Sequence, residues 1–357
     1  MFKTVTIRDG HDNFFTPIRF LLAYMVLLGH AFVVTRGQDN LEPHIFYQFT
    51  MSYMAVNLFF IASGFLVTGS MLYRKSLANF AAARILRIYP ALIVHVFVMM
   101  FLFGVIFTSL SATAYFSSPD LWKQPFLVLP FIKTDMSLPG LFPNNAEHIG
   151  SASLWTLRYE FLAYIGTFLA FSLGLMKSRW MVLLQFLAFA IALPVSYQTG
   201  LYEKLPATLQ QLLRFGVCYG AGAAIYAFRD RLRFHIAVIP GLILLTALLN
   251  KSVLFEVVGI MTAAYMLFWA AYVKLPKLDF LKKFNDVSYG LYIYHWVVLQ
   301  GIYHFIPGIS VVALIVLSTP LALALAMLSW KYVEEPALRL KSRFGQILSR
   351  KPRPVPA

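Results

Sequence analysis

The chain has 357 residues, 59% of them hydrophobic and only 13% charged, with a formal charge of +15. This excludes a disordered chain, which is polar and highly charged. It also excludes a single soluble core, which could not hide so much apolar surface at this length. The composition is that of a polytopic membrane protein.

The first 16 residues are polar and carry Asp9, His11 and Asp12. A cleavable signal peptide would need a basic start followed by an apolar stretch. Apolar windows of about 20 residues then predict an all-α chain of ten transmembrane helices. They cover 17–35, 51–72, 88–108, 153–175, 181–199, 208–228, 235–250, 253–273, 287–306 and 310–331. The breaks between them make chemical sense. Thr16-Pro17 is an N-cap and first-turn pair. Arg74-Lys75, Lys177-Ser178-Arg179 and Arg229-Asp230-Arg231 are polar hinges, and Asn250-Lys251-Ser252 and Pro307-Gly308 are turns. The seventh window is short and contains Pro240-Gly241. Cys218 is the single cysteine and lies in an apolar run, so neither an intrachain disulfide nor a zinc motif is expected.

With the N-terminus inside, 22 of the 30 Lys and Arg fall in cytoplasmic segments, including Lys3, Arg350, Lys351 and Arg353. Five (Arg36, Lys123, Lys133, Lys204 and Lys251) fall outside, and Arg19, Arg158 and Arg214 lie in or at the edges of spans. Positive residues stay on the cytoplasmic side, so both termini are expected there. The charge is then a matter of topology and of attraction to anionic membrane lipids, and nucleic acid is not an expected partner. Residues 1–336 form the membrane domain, and 337–357 a basic cytoplasmic tail ending in Lys-Pro-Arg-Pro-Val-Pro-Ala. No internal repeat suggests a two-halved transporter. The longest extramembrane segment, outer residues 109–152, holds five prolines with Trp122 and Phe126 between them. It is expected to be a folded lid or an interfacial loop.

Ionisable groups are costly in a bilayer, so each one inside a span is a functional candidate. Arg19 and His30 share the first span. Eleven residues bring them back to one face, about 16 Å apart along the axis. An imidazole suits proton transfer near neutral pH; the alternative is a snorkelling arginine and a packing histidine. Arg84 and Arg87 share one face at the cytoplasmic start of the third span. They suit a phosphate-bearing ligand or simple anchoring. Trp155 to Glu160 opens the fourth span on the outer side. Glu160 could pair with Arg158, orient a base, bind a hydroxyl or be solvated, while Trp155 could belong to an aromatic belt. Tyr289, Tyr292 and His295 make one polar stripe on the ninth span, either catalytic or interhelical. His95 and His304 read as packed residues, and Glu334-Glu335-Pro336 as a helix stop with local salt bridges. Glu256 and Arg214 have no evident sequence partner.

Together these segments resemble the acyltransferase-3 family of integral-membrane O-acyltransferases, from Arg19 to about Pro336. Arg19-(ten residues)-His30 is similar to the family's first-helix motif. Asn57 to Leu66 is similar to its second-helix signature with Ser-Gly-Phe, and Arg84-Ile-Leu-Arg87 to its Arg-x-x-Arg segment. Leu154 to Glu160 is similar to its Trp-Ser/Thr-Leu-x-x-Glu segment; Ser288–His295 and Val333–Pro336 match later motifs. Asn57 departs from the family, in which many members carry an acid there.

The resemblance implies transfer of an acyl group, acetyl by expectation, from cytosolic acyl-coenzyme A to a sugar hydroxyl of an envelope or exported glycan at a bacterial-type inner membrane. No metal is implied, and the acceptor is a glycan or lipid-linked sugar. Arg84 and Arg87 would hold the coenzyme A end. His30 would act as general base or acyl carrier, and Arg19 would stabilise phosphate or developing charge. Glu160 would orient acceptor or His30, with Trp155, Tyr292 and His295 binding substrate. The chain ends soon after the last span, so no appended extracellular hydrolase-like domain is expected. The competing classes are a ten-span carrier or flippase for a lipid-linked sugar, using His30 and Glu160 as a proton path, and a non-catalytic scaffold.

Overall fold

The computed structural model describes residues 4–8, 10, 12–37 and 42–349. Asp9, His11, Lys3, Arg350, Lys351, Arg353 and the Pro-rich end of the basic tail lie outside the described residues. Each of the ten apolar windows is helical. The helices run α1 (Phe15–Arg36), α2 (Met51–Arg74) and α3 (Leu77–Val98). After α3 come a π-helical turn (Met99–Phe103) and α4 (Gly104–Phe107). The chain continues as α5 (Ala112–Ser117), α6 (Pro119–Val128), α7 (Trp155–Ser172), α8 (Arg179–Gln198) and α9 (Ala207–Ala227). Then follow α10 (Val238–Leu248), α11 (Phe255–Tyr272), α12 (Ser288–Phe305), α13 (Val311–Ser329), α14 (Glu335–Arg339) and α15 (Lys341–Ser349). Six of the helical segments are long and apolar enough by themselves to cross a bilayer. Helix α10 has 11 residues, about 16 Å at the helical rise and roughly half a hydrocarbon core.

Helix α12 is the axis of the molecule. Every residue from Ser288 to Gly301 is buried, with α1 on one side and α13 on another. Helix α2 packs against α1 and crosses α9. That crossing is close because both partners offer glycine. A β-carbon at Gly64 would collide with the carbonyl oxygen of Tyr219, and one at Gly222 with that of Ile61. Small residues that let backbones approach are the usual adhesive between membrane helices, because lipid removes the hydrophobic drive for association.

Two short antiparallel ladders add to the expected all-α fold. Strand β1 (Val5–Thr6) pairs with β4 (Arg233–Phe234), and β2 (His44–Phe46) with β3 (Phe49–Thr50). The first ladder ties the chain start to the α9–α10 connection. At the same end, Lys282 donates to Asp12 over 2.5 Å and α15 packs along α3. Both described ends of the chain therefore lie at one end of the bundle, called here the basic end.

The expected helix stop at Glu334-Glu335-Pro336 is absent. A second π-helical turn, Trp330–Glu334, runs straight into α14 with Pro336 in its first turn, where a missing N–H costs little. Residues 108–152 fold down onto the far end of the bundle. Phe131, Met136, Leu138, Leu141 and Phe142 are buried. Gln300 donates to the Glu147 carbonyl (3.2 Å) and Trp296 to the Ile149 carbonyl (3.0 Å). Among the described residues Arg158 pairs with no carboxylate: it donates to the carbonyls of Phe131 and Ile132, both at 2.7 Å. Arg214 and Glu256 find company at this end too. Tyr53 and Tyr197 donate to the Glu256 carboxylate, and the Arg214 guanidinium lies 4.2 Å from the Tyr53 ring.

Candidate active site

At the basic end, Asp286 lies two residues before α12 and gathers three helices. Its Oδ2 accepts from Arg19 Nη1 (2.8 Å) and Arg87 Nη2 (2.9 Å). Its Oδ1 accepts from Ser288 Oγ (2.5 Å) and Ser288 N (3.4 Å). Arg87 also reaches Glu334 Oε2 at 3.5 Å, whose other oxygen accepts from Ser329 Oγ at 3.0 Å. Burial alone would push the Asp286 carboxyl up. The Arg19 and Arg87 guanidiniums, together with the Ser288 hydrogen bonds, outweigh that and hold it at about 2. Arg87 is thus committed to two carboxylates, whereas the neighbouring Arg84 is differently placed. Its guanidinium stacks over Phe80 (5.8 Å) and Tyr164 (5.3 Å), and its buried Nε has no hydrogen-bond partner among the described residues.

From this cluster a cavity of about 490 Å³ runs into the bundle. Arg19, Arg84, Asp286, Glu160 and Tyr164 line its basic part, and Phe59, Thr156 and Tyr292 its far end. Glu160 accepts a hydrogen bond from Tyr164, one turn along α7. Among the described residues no hydrogen bond joins Glu160 to His30.

His30 stands beyond the far end. Its Nδ1 is 2.8 Å from Nε2 of His295, and the rings are near-parallel with centroids 5.0 Å apart. His295 is fully buried, and its Nδ1 is 3.1 Å from the Leu291 carbonyl. These contacts assign the tautomers. A carbonyl can only accept, so His295 carries its proton on Nδ1 and offers Nε2 as acceptor to His30 Nδ1–H. Neutral His30 is left with a lone pair on Nε2, the form a general base needs. Trp296 packs edge-on against His30 at 5.2 Å and is itself held by the Ile149 carbonyl.

The structure therefore brings Arg19, Arg84, Arg87, Glu160 and Tyr292 to one cavity and His30 with His295 to its far side. Trp155 does not line the cavity; it packs on Tyr159 and Phe215. His95 packs on Tyr294, and His304 among Phe107, Phe142 and Phe305. Sequence reasoning missed Asp286, Tyr164 and Thr156, and read Glu334 as part of a terminus. Among the described residues no cluster of three or more His, Cys, Asp or Glu could hold a metal ion.

Comparison with known proteins decides the chemistry. The acyltransferase-3 family model, described as an acyltransferase domain, matches residues 13–331. The chain belongs to the acyltransferase-3 family. It is an enzyme, an O-acyltransferase set in a mostly helical membrane fold. An O-acetyl transferase of Shigella phage Sf6 is 28% identical over 334 residues, covering 91% of this chain and 95% of the relative. Nodulation protein 10 of Rhizobium leguminosarum bv. viciae is 26% identical over 369 residues, covering 94% and 95%. No solved structure matches significantly.

Proposed function

We propose that this acyltransferase-3 member moves an acetyl group from cytosolic acetyl-coenzyme A to a sugar hydroxyl of an envelope or exported glycan. The observation that carries this reading is the axial order of the site: arginines at the basic end, a cavity, then a histidine with a free lone pair. In this reading all ten windows cross a bacterial inner membrane with both termini cytoplasmic, the seventh by the short α10 together with its flanking turns, and the distribution of basic residues supports this. The name of the phage relative, O-acetyl transferase, favours acetyl over a longer group.

The phosphates of the donor dock on Arg84, with Arg19 and Arg87 at the rim of the same cavity, where each keeps N–H donors beyond its bonds to the Asp286 cluster. Arg19 lies about 16 Å from His30 along α1, so it serves the phosphates, not the reacting carbonyl. The thioester reaches toward His30 from one side and the glycan from the other. His30 Nε2 takes the hydroxyl proton as the sugar oxygen bonds to the thioester carbon. The carbon–sulfur bond then breaks, and the imidazolium returns the proton to the departing thiolate. His295 is a positioning residue that fixes the tautomer of His30. Glu160 and Tyr292 contact the donor arm, and Trp155 belongs to the rim on the acceptor side.

Labelled acetyl-coenzyme A supplied to purified protein in detergent, with the host's surface polysaccharide as acceptor, tests the reading. Label in the polysaccharide without a sealed membrane is expected. Its absence, with folded protein present, overturns the reading and favours a transporter, which needs two compartments. Reporter fusions after Lys251 and after Arg229, expected outside and inside respectively, test the ten crossings.

A further inference from the structure

Neither His30 nor His295 lines the donor cavity. On α12, Ser288, Tyr289 and Tyr292 line the cavity and His295 does not. The pair therefore begins about 4.5 Å further along the helix axis, three residues at the helical rise. Three side chains of the cavity lining meet on the side of this pair. The Tyr292 hydroxyl and Thr156 Oγ1 share a hydrogen bond of 2.7 Å between α12 and α7. Phe59, from α2, stands edge-on to Tyr292 with ring centroids 5.8 Å apart. The Tyr292 ring is in turn 6.1 Å from that of His295.

We propose that Tyr292, Thr156 and Phe59 form a partition that selects the donor by acyl size. This rests on the donor reading above: a thioester anchored by its phosphates at Arg84 must bring its carbonyl carbon past these three groups to meet His30. The hydroxyl–hydroxyl latch is neutral and weak, so it opens readily. The aromatic pair behind it is packed between three helices. Interiors of this density respond to each added methylene, and one methylene in an apolar pocket changes specificity by roughly 10–200-fold. The passage accepts acetyl and disfavours butanoyl because the longer chain must displace Phe59 as well as turn Tyr292.

The test is a competition. Purified full-length protein receives equimolar acetyl- and butanoyl-coenzyme A with the host's surface polysaccharide, and the two products are resolved by mass. The ratio within one tube does not depend on how much protein folded, so poorly expressed variants stay informative. Wild type is expected to favour acetyl strongly. Phe59→Ala and Thr156→Ala are each expected to raise the butanoyl share about tenfold or more. Leu66→Ala, further toward the basic end of the same cavity, is expected to leave the ratio alone. Acetyl transfer with an unchanged ratio in both partition variants overturns the filter and spares the donor reading, as does an equal shift in Leu66→Ala. No transfer of either group by wild type overturns both.

Discussion

His30 and His295, 265 positions apart in sequence, meet Nδ1 to Nε2 at 2.8 Å in the middle of the bundle. Only one of the pair can do chemistry, because the Leu291 carbonyl fixes the proton of the other. His30→Ala should lower acyl transfer by about 10²–10⁴-fold, the range of general base catalysis. His295→Ala should cost less, shift the pH–rate profile, and leave KM for the donor unchanged. Steady-state kinetics across pH checks both; a His295→Ala profile like that of wild type would remove its positioning role.

The two arginines of the Arg-x-x-Arg segment should separate. Arg84→Ala removes a guanidinium with an unpartnered Nε. It should raise KM for acyl-coenzyme A about 10- to 100-fold, as expected for charge-assisted hydrogen bonds of about 1.5–3 kcal/mol, with little change in thermal unfolding. Arg87→Ala leaves the buried Glu334 without its ion-pair partner and Asp286 with Arg19 alone. It should destabilise the fold by about 3–5 kcal/mol, the effect of breaking a buried ion pair. Unfolding in detergent alongside donor titration distinguishes the two.

Asp286 gives a pH prediction with a definite sign. Its carboxyl is held at about 2 against an ordinary 3.8. A lowered carboxyl stabilises the folded state above the ordinary value and loses that contribution as pH falls through the lowered one. The difference amounts to about 2 kcal/mol at neutral pH. Asp286→Asn should therefore be less stable than wild type at pH 7. The gap between the two should narrow only in strong acid, as read from unfolding midpoints across pH.

Gly64→Ala and Gly222→Ala should each force α2 and α9 apart, because the atom in the way is a backbone carbonyl with no rotamer to change. A loss of about 1–3 kcal/mol is expected from overpacking, visible as a lower unfolding temperature. Gly166→Ala, where nothing lies within 4 Å, is the matched control and should be neutral or slightly stabilising.

The helices were legible because lipid leaves the sequence few options: an apolar run of sufficient length must satisfy its own backbone. Arg19, His30, Arg84, Arg87 and Glu160 stood out for the same reason, as charges or imidazoles where none is cheap. Asp286 did not, because it lies in the polar stretch before α12, where an acid is unremarkable. Its partners are 267 and 199 positions away, beyond the reach of helical periodicity. Tyr164 and Thr156 were missed because hydroxyl groups are common at helix interfaces. Trp155 is placed outside the cavity lining, its ring on Tyr159 and Phe215, because a tryptophan at a helix end fits an aromatic belt as well as a site.

Beside its buried side chains, the segment folded over the far end of the bundle is fastened at four points through its backbone. Arg158 grips the oxygens of Phe131 and Ile132, Gln300 that of Glu147, and Trp296 that of Ile149. The carbonyl oxygen is the same whichever residue stands there, although the buried Phe131 is held by its ring as well. Descendants of this chain can therefore rewrite much of the side-chain face presented outward, and with it, on the function proposed above, the sugar they meet, without unhooking the tryptophan that braces His30. Acceptor choice and catalytic geometry are thereby free to drift independently.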